Sequence, residues 1–157
     1  MVSIPASSLS VQNPGPQPFT PSDNNRRRMN ALSTIRQIDY TVIYTRDMAA
    51  MRTFYETVLG FPLLRELSAH WIEYQVGSNT LALTVRGGRF DDPAPPAGAL
   101  SLQLAFRVAP GVIDACAEEL VAAGVRIVSP PTDQPFGHRT LFFRDPDGNV
   151  LEIYAEI

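Results

Sequence analysis

The sequence predicts an α+β fold, with two tandem βαβββ modules that form a cupped mixed sheet and helices on the outside. Two observations predict it. The order strand, helix and three strands occurs twice, and the spacing is similar in both copies: Tyr40 to Gly60 is 20 positions, and Gln103 to Gly124 is 21. One module leaves a sheet face uncovered, so two modules are expected to pair around a concave interior.

The first module is expected at about residues 36–87. Residues 38–45 are rich in β-branched and aromatic side chains, which favours a strand. Asp47 is a candidate N-cap for the following helix, and Gly60 is placed to end it. Its apolar positions recur at helical spacing: Met48, Met51, Phe54, Tyr55, Val58 and Leu59. Three short strands are predicted next, at 63–66, 71–76 and 80–86.

The second module is expected at about residues 100–157, after a polar linker rich in Gly and Pro. A strand at 100–108 leads through Pro110 into a helix that Gly124 ends. Three further strands are predicted at 125–128, 138–144 and 150–155. Between the last two, residues 145–149 read Asp-Pro-Asp-Gly-Asn. Pro fixes φ and Gly permits positive φ, which indicates a tight hairpin turn.

The first 34 residues differ from the rest of the chain. They are rich in Pro, Ser, Asn and Gln and poor in large apolar residues, so a disordered tail is predicted at 1–34, ahead of a domain at 35–157. Three consecutive arginines, 26–28, precede Met29. Translation from Met29 instead of Met1 is an alternative reading, because periodic structure begins soon after it.

Composition narrows the function classes. The net charge is -3, so no nucleic-acid partner is expected. All 13 cationic residues are Arg, and without Lys neither a Schiff base nor a lysine general base is available. One cysteine precludes an intrachain disulfide and fits a reducing compartment. No apolar run approaches the roughly 18 residues of a membrane span, and no secretory signal is evident. A cytoplasmic protein without a membrane partner is expected.

Several motifs together resemble the vicinal oxygen chelate superfamily, which includes glyoxalase I, extradiol ring-cleaving dioxygenases, fosfomycin-resistance enzymes and bleomycin-binding proteins. They are Phe54-Tyr55, Leu59-Gly60-Phe61, Gly124, Phe136-Gly137 and the stretch 145–152. The resemblance covers about residues 36–157. It implies paired βαβββ units, a homodimer and a small-molecule ligand or substrate.

The resemblance also implies a metal site, with ligands on the first and last strands of each unit. The matching positions here are Tyr40, Ala82, Gln103 and Glu152. Many members carry His at the first and third positions. In this chain only Glu152 matches the usual ligand type, Ala82 has no donor atom, and an amide is a weaker ligand. The candidate ligands for a divalent metal are Glu152, Gln103 and Tyr40, and this poor set favours no tightly bound metal.

Strand alternation extends the candidate site from these implied positions. The residues expected to contact a small, partly aromatic ligand are Tyr40, Tyr44, Gln103, Arg107, Tyr154 and Trp71. Alternatively, Tyr40 and Tyr44 are core aromatics, and Trp71 packs in the core or at an interface.

Two residues are candidates for catalysis. Glu152 lies in an otherwise apolar strand and could serve as a general base; alternatively, it forms a structural ion pair with Arg107 or Arg144. His138 opens the strand before the hairpin and could transfer protons at the cavity rim; alternatively, it is structural.

Two functions from different classes remain open. One is a small-molecule enzyme of lyase, isomerase or dioxygenase type with a degenerate metal site. The other is a binding protein without catalysis, similar to the bleomycin-resistance members. The absence of most metal ligands favours the second, and the position of Glu152 favours the first.

Overall fold

The computed structural model describes residues 31–87, 90, 92–96 and 98–157. The chain divides into two units, with the boundary between Gln37 and Ile38. In the described part of the first unit, a 3-10 turn at Ala31–Thr34 has no buried residue, and Thr34 Oγ1 donates to the Ala31 carbonyl at 2.6 Å. The predicted tail up to residue 30 and the alternative start at Met29 lie outside the described residues.

The second unit begins with one βαβββ module. Its sheet has the strand order β1-β4-β3-β2, in which β1 and β4 are parallel and the other pairs antiparallel. The helix α1 continues directly into a π-helical segment, Phe54–Val58. The elements are β1 (Tyr40–Thr45), α1 (Met48–Thr53), β2 (Leu63–Ser68), β3 (Trp71–Val76) and β4 (Asn79–Val85).

The remaining elements repeat this topology. The second sheet has the order β5-β8-β7-β6, again with its first two strands parallel. The predicted duplication and the α+β class are therefore confirmed, with the strands divided between two four-stranded sheets. The elements are β5 (Gln103–Arg107), α2 (Ile113–Ala122), β6 (Ile127–Asp133), β7 (His138–Arg144) and β8 (Val150–Glu156). None of the helices in the described ranges is long and apolar enough to cross a membrane.

A local sequence signal accounts for the start of the first helix. Asp47 caps α1, because its Oδ1 accepts from the Ala50 amide at 3.0 Å. Strand β6 begins later than predicted and runs further, through Pro130 and Pro131. Proline cannot donate to a strand ladder, but β6 is an edge strand that pairs only with β7, and its register shifts between Ile127 and Thr132.

One hydrophobic core lies between the helices and one face of each sheet. Both modules contribute to it, and aromatic contacts join them: Phe54 lies 6.4 Å from Phe143, and Phe61 lies 5.4 Å from Phe106, between ring centres. The core side chains include Ile43, Met51, Tyr55, Ile72, Tyr74, Leu83, Ile113, Leu120, Leu141, Leu151 and Ile153. Because the helix-facing sides meet in this core, the opposite face of each sheet is left for other contacts. We call these the open faces.

A buried carboxylate joins the two modules at the predicted hairpin. Asp145 accepts from Tyr55 Oη at 3.1 Å, from Asn149 Nδ2 at 2.8 Å and from the Asn149 amide at 2.9 Å. Burial raises the pKa of Asp145 above its usual range, and burial beside this carboxylate raises the pKa of Tyr55. The turn closes with Gly148 at φ 90°, a conformation that favours glycine.

The Tyr55–Asp145 hydrogen bond gives a stability prediction. Tyr55→Phe removes one donor from a buried carboxylate, so we expect the free energy of unfolding to fall by about 1–3 kcal/mol. Tyr74→Phe is the matched control, because its hydroxyl donates to the half-exposed Glu56 at 3.2 Å and its loss should cost less. Urea unfolding measures the free energy of unfolding of both variants. An equal decrease in the two variants would contradict a special contribution of the Tyr55–Asp145 hydrogen bond.

Candidate functional site

The open face of the second sheet carries five of the predicted site residues, with Arg107 at the end of β5 and four others close together. Alternation along β5, β8 and β7 turns Gln103, Glu152, Tyr154 and His138 away from the core. Gln103 is exposed, and the other three side chains are half-buried. These positions therefore share one surface of the second sheet.

Glu152 occupies the middle of this face. Its register partners are Ala105 on β5 and Phe142 on β7, and the small Ala105 leaves room on one side of the carboxylate. Gln103 Nε2 donates to Glu152 Oε2 at 3.1 Å. A single amide donor holds the carboxylate in position while leaving acceptor sites on its oxygens for another molecule.

The ion pairs considered for Glu152 do not form. Arg107 binds Glu156 instead, with 2.7 Å between Nη2 and Oε2, and the Arg144 guanidinium donates to the Gly148 carbonyl. Glu156 and Glu152 lie on the same side of β8, so the sequence alone did not determine which of the two acids Arg107 binds. Within the part of the chain that the structure describes, no arginine neutralises Glu152.

Aromatic rings border the carboxylate along β8. His138 stacks on Tyr154 with 5.0 Å between ring centres and 24° between planes, and Phe136 meets the His138 ring edge-on at 5.2 Å. Gly137 precedes His138 at φ 87°, which turns the chain into β7. His138 is thus held by aromatic rings on the face that carries Glu152.

The first sheet holds the other three predicted contact residues on its own open face. Tyr40 is 54% exposed and Tyr44 is 37% exposed, so neither is a core aromatic. Trp71 is half-buried and donates from Nε1 to Glu73 Oε1 at 2.6 Å. Ala82 lies at the centre of this face and is fully buried.

Glu73 is a charged residue that sequence reasoning missed. It is buried, it is the register partner of Ala82, and both of its oxygens are bonded to Arg65, at 2.7 Å from Nε and 3.1 Å from Nη2. These hydrogen bonds are the main cause that lowers the pKa of Glu73. The available signal was alternation in β3, which turns Glu73 to the same side as Trp71.

The donor atoms do not fit a metal of the kind that the resemblance implies. Of the four matching positions, Ala82 offers no donor, and Gln103 turns its amide nitrogen toward Glu152. Among the described residues, no group of three or more His, Cys, Asp and Glu side chains could hold a metal ion. One carboxylate with one amide is below the usual ligand set for a divalent cation.

Comparison with known proteins supports the same fold. Residues 37–153 match the sequence model of the Glyoxalase/Bleomycin resistance protein/Dioxygenase superfamily. The uncharacterized protein YwkD of Bacillus subtilis is 30% identical over 132 residues, which are 78% of this chain and 98% of that protein.

Two crystal structures illustrate the likeness. The virulence protein STM3117 from Salmonella typhimurium has a TM-score of 0.63 and 28% identity, over 78% of this chain and 98% of that one. A glyoxalase/bleomycin resistance protein/dioxygenase from Nocardioides has a TM-score of 0.69 and 25% identity, over 79% of this chain and 85% of that one.

The Glu73–Arg65 pair gives a pH prediction. The folded pKa of Glu73 lies below its unfolded value, so the pair's contribution to stability is complete above the ordinary glutamate pKa near 4.5 and is lost as the pH falls through the lower folded value. Urea unfolding of wild type and Glu73→Gln from about pH 7 to pH 3 should therefore give a difference that shrinks in acid. The exposed Glu118→Gln control should show a flat difference; a flat difference for Glu73→Gln would refute the prediction.

Proposed function

Because the chain belongs to the Glyoxalase/Bleomycin resistance protein/Dioxygenase superfamily, we propose that it is a small-molecule enzyme in which the Glu152 carboxylate acts as a general base. One observation carries the proposal: Glu152 is half-buried on an open sheet face, held by Gln103 and not neutralised by a described arginine. A carboxylate in that state can accept a proton from a bound molecule.

Of the lyase, isomerase and dioxygenase reactions expected from the resemblance, proton transfer suits the first two. Glu152 takes a proton from a carbon next to a carbonyl group, and the electron pair of the C–H bond moves toward the carbonyl oxygen as an enolate. Glu152 then returns the proton to the neighbouring atom. The second amide hydrogen of Gln103 and the exposed guanidinium of Arg107 are the nearest candidates to stabilise the oxyanion on this sheet.

Aromatic contacts provide the binding part of the proposal. The stacked pair His138 and Tyr154 offers a ring surface beside the carboxylate, which suits an apolar or aromatic portion of a substrate. His138 also serves as the second proton-transfer group, because an imidazole ring carries both a donor and an acceptor nitrogen.

The proposal also includes a homodimer of this chain. Tyr40, Tyr44 and Trp71 remain accessible on the open face of the first sheet, and the edge strand β2 exposes Leu63, Leu64 and Leu67 by 47%, 49% and 60%. A second copy that covers the exposed leucines of β2 would bury apolar area. The single half-buried Cys116 supports a reducing, cytoplasmic location.

The second candidate function is small-molecule or antibiotic binding without turnover. Ala82 favours it, because the position on the first sheet that corresponds to Glu152 carries no reactive group. In that case the open faces sequester a ligand, and Glu152 serves only as a hydrogen-bond acceptor.

Replacing the proposed base separates the two functions. Small aromatics, glutathione adducts of 2-oxoaldehydes and bleomycin-type antibiotics are screened by thermal shift, and every compound that binds is tested for turnover. We expect Glu152→Gln to lower kcat by about 10²–10⁴-fold with little change in KM, since only proton transfer is removed. The exposed Glu118→Gln serves as the control. Unchanged kcat in Glu152→Gln would reject the base, and binding without turnover of any compound would support the second function.

Measuring the metal content tests whether the residues around Glu152 are too poor a ligand set to hold a metal ion tightly. We expect wild-type protein from cultures with added zinc, nickel, manganese and iron to contain far less than one ion per chain by mass spectrometry. Gln103→His places an imidazole beside Glu152, and its metal content should rise above that of wild type. A stoichiometric ion in the wild-type protein would contradict the account.

A further inference from the structure

A cavity on the first sheet has no part in the reaction proposed at Glu152. Its volume is about 310 Å³, and its described lining consists of Tyr44, Arg86, Phe90 and Asp92. Tyr44 is the last open-face residue of β1, and Arg86 directly follows β4. The cavity therefore lies where the two parallel strands of the first module end.

Arg86 brings a guanidinium group to this cavity. Its Nε is shielded from solvent and has no hydrogen-bond acceptor. Within the described ranges it forms no ion pair, although Asp92 lines the same cavity. Because the Arg86 side chain lines the cavity and has no described acidic partner, an anionic oxygen of a ligand is the group that suits it best.

Two aromatic rings define the apolar part of the cavity. Tyr44 and Phe90 meet edge-to-face, with 6.3 Å between ring centres and 71° between planes. Both side chains are partly exposed, so their ring surfaces are available for contact. The volume is at the small end for ligand pockets, with room for one or two rings and a short chain.

We propose that this cavity binds a small carboxylic acid with an aromatic body, whose carboxylate accepts from Arg86 and whose ring packs against Tyr44 and Phe90. Asp92 selects against a second negative charge on the ligand and favours one that carries a hydroxyl or amino donor. The site belongs to the first module, whereas Glu152 belongs to the second, so the two can be tested independently.

Matched probes test the proposal. Titration calorimetry compares 3-phenylpropionate and indole-3-acetate with the uncharged alcohols 3-phenylpropanol and indole-3-ethanol. We expect the acids to bind at least about tenfold more tightly than the alcohols, because only the acids compensate Arg86. Equal affinities for acid and alcohol, or no binding of either acid at about 10 mM, would overturn the proposal.

Variants assign the binding to the cavity. Arg86→Gln should weaken acid binding at least about tenfold, whereas Arg126→Gln, which removes the same charge from an exposed position, should not. Phe90→Ala should weaken acids and alcohols alike, and it provides the test if Arg86→Gln fails to fold by circular dichroism. Glu152→Gln should leave acid binding unchanged. Unaltered binding in Arg86→Gln or in Phe90→Ala, or binding lost in Glu152→Gln, would refute the proposed site.

Discussion

The buried carboxylate of Asp145 is the constraint on which the candidate site depends. It receives one hydrogen bond from the first module, through Tyr55, and two from Asn149 at the far side of its own turn. Strand β8 begins at the residue after Asn149, so the same contacts set the position of Glu152 relative to the core. Without these donors a buried acid would be uncompensated, so the three hydrogen bonds make its burial tolerable here.

Duplication gave the two sheets one topology, but their open faces carry different chemistry. In the second sheet the central acid, Glu152, is held by a neutral amide and faces outward. In the first sheet the corresponding position is Ala82, and the acid next to it, Glu73, is bonded on both oxygens to Arg65. One face therefore presents a carboxylate without a described arginine partner, whereas the other face carries the cationic group of Arg86 at its edge.

Features of the fold that depend on local sequence patterns were predictable. Repetition of strand and helix signals predicted both modules, residues 138–144 form β7 as expected, and Asp47 caps the first helix. Contacts between distant residues were not predictable. Arg107 could reach Glu152 or Glu156, since both lie on one side of β8, and only the packed structure distinguishes them. Likewise, nothing local in Tyr55 indicates a hydrogen bond to a turn 90 residues away.

The central claim is that a ligand binds at the open face of the second sheet, against the Glu152 carboxylate. Nuclear magnetic resonance titration tests it most directly, because the side-chain amide of Gln103 gives its own signals beside that carboxylate. On addition of a compound whose binding Phe90→Ala leaves unchanged, so that it does not occupy the first-module cavity, the account predicts that the Gln103 amide signals shift together with those of Tyr154. Shifts confined to α1 and α2, with the Gln103 signals unmoved at saturation, would contradict it.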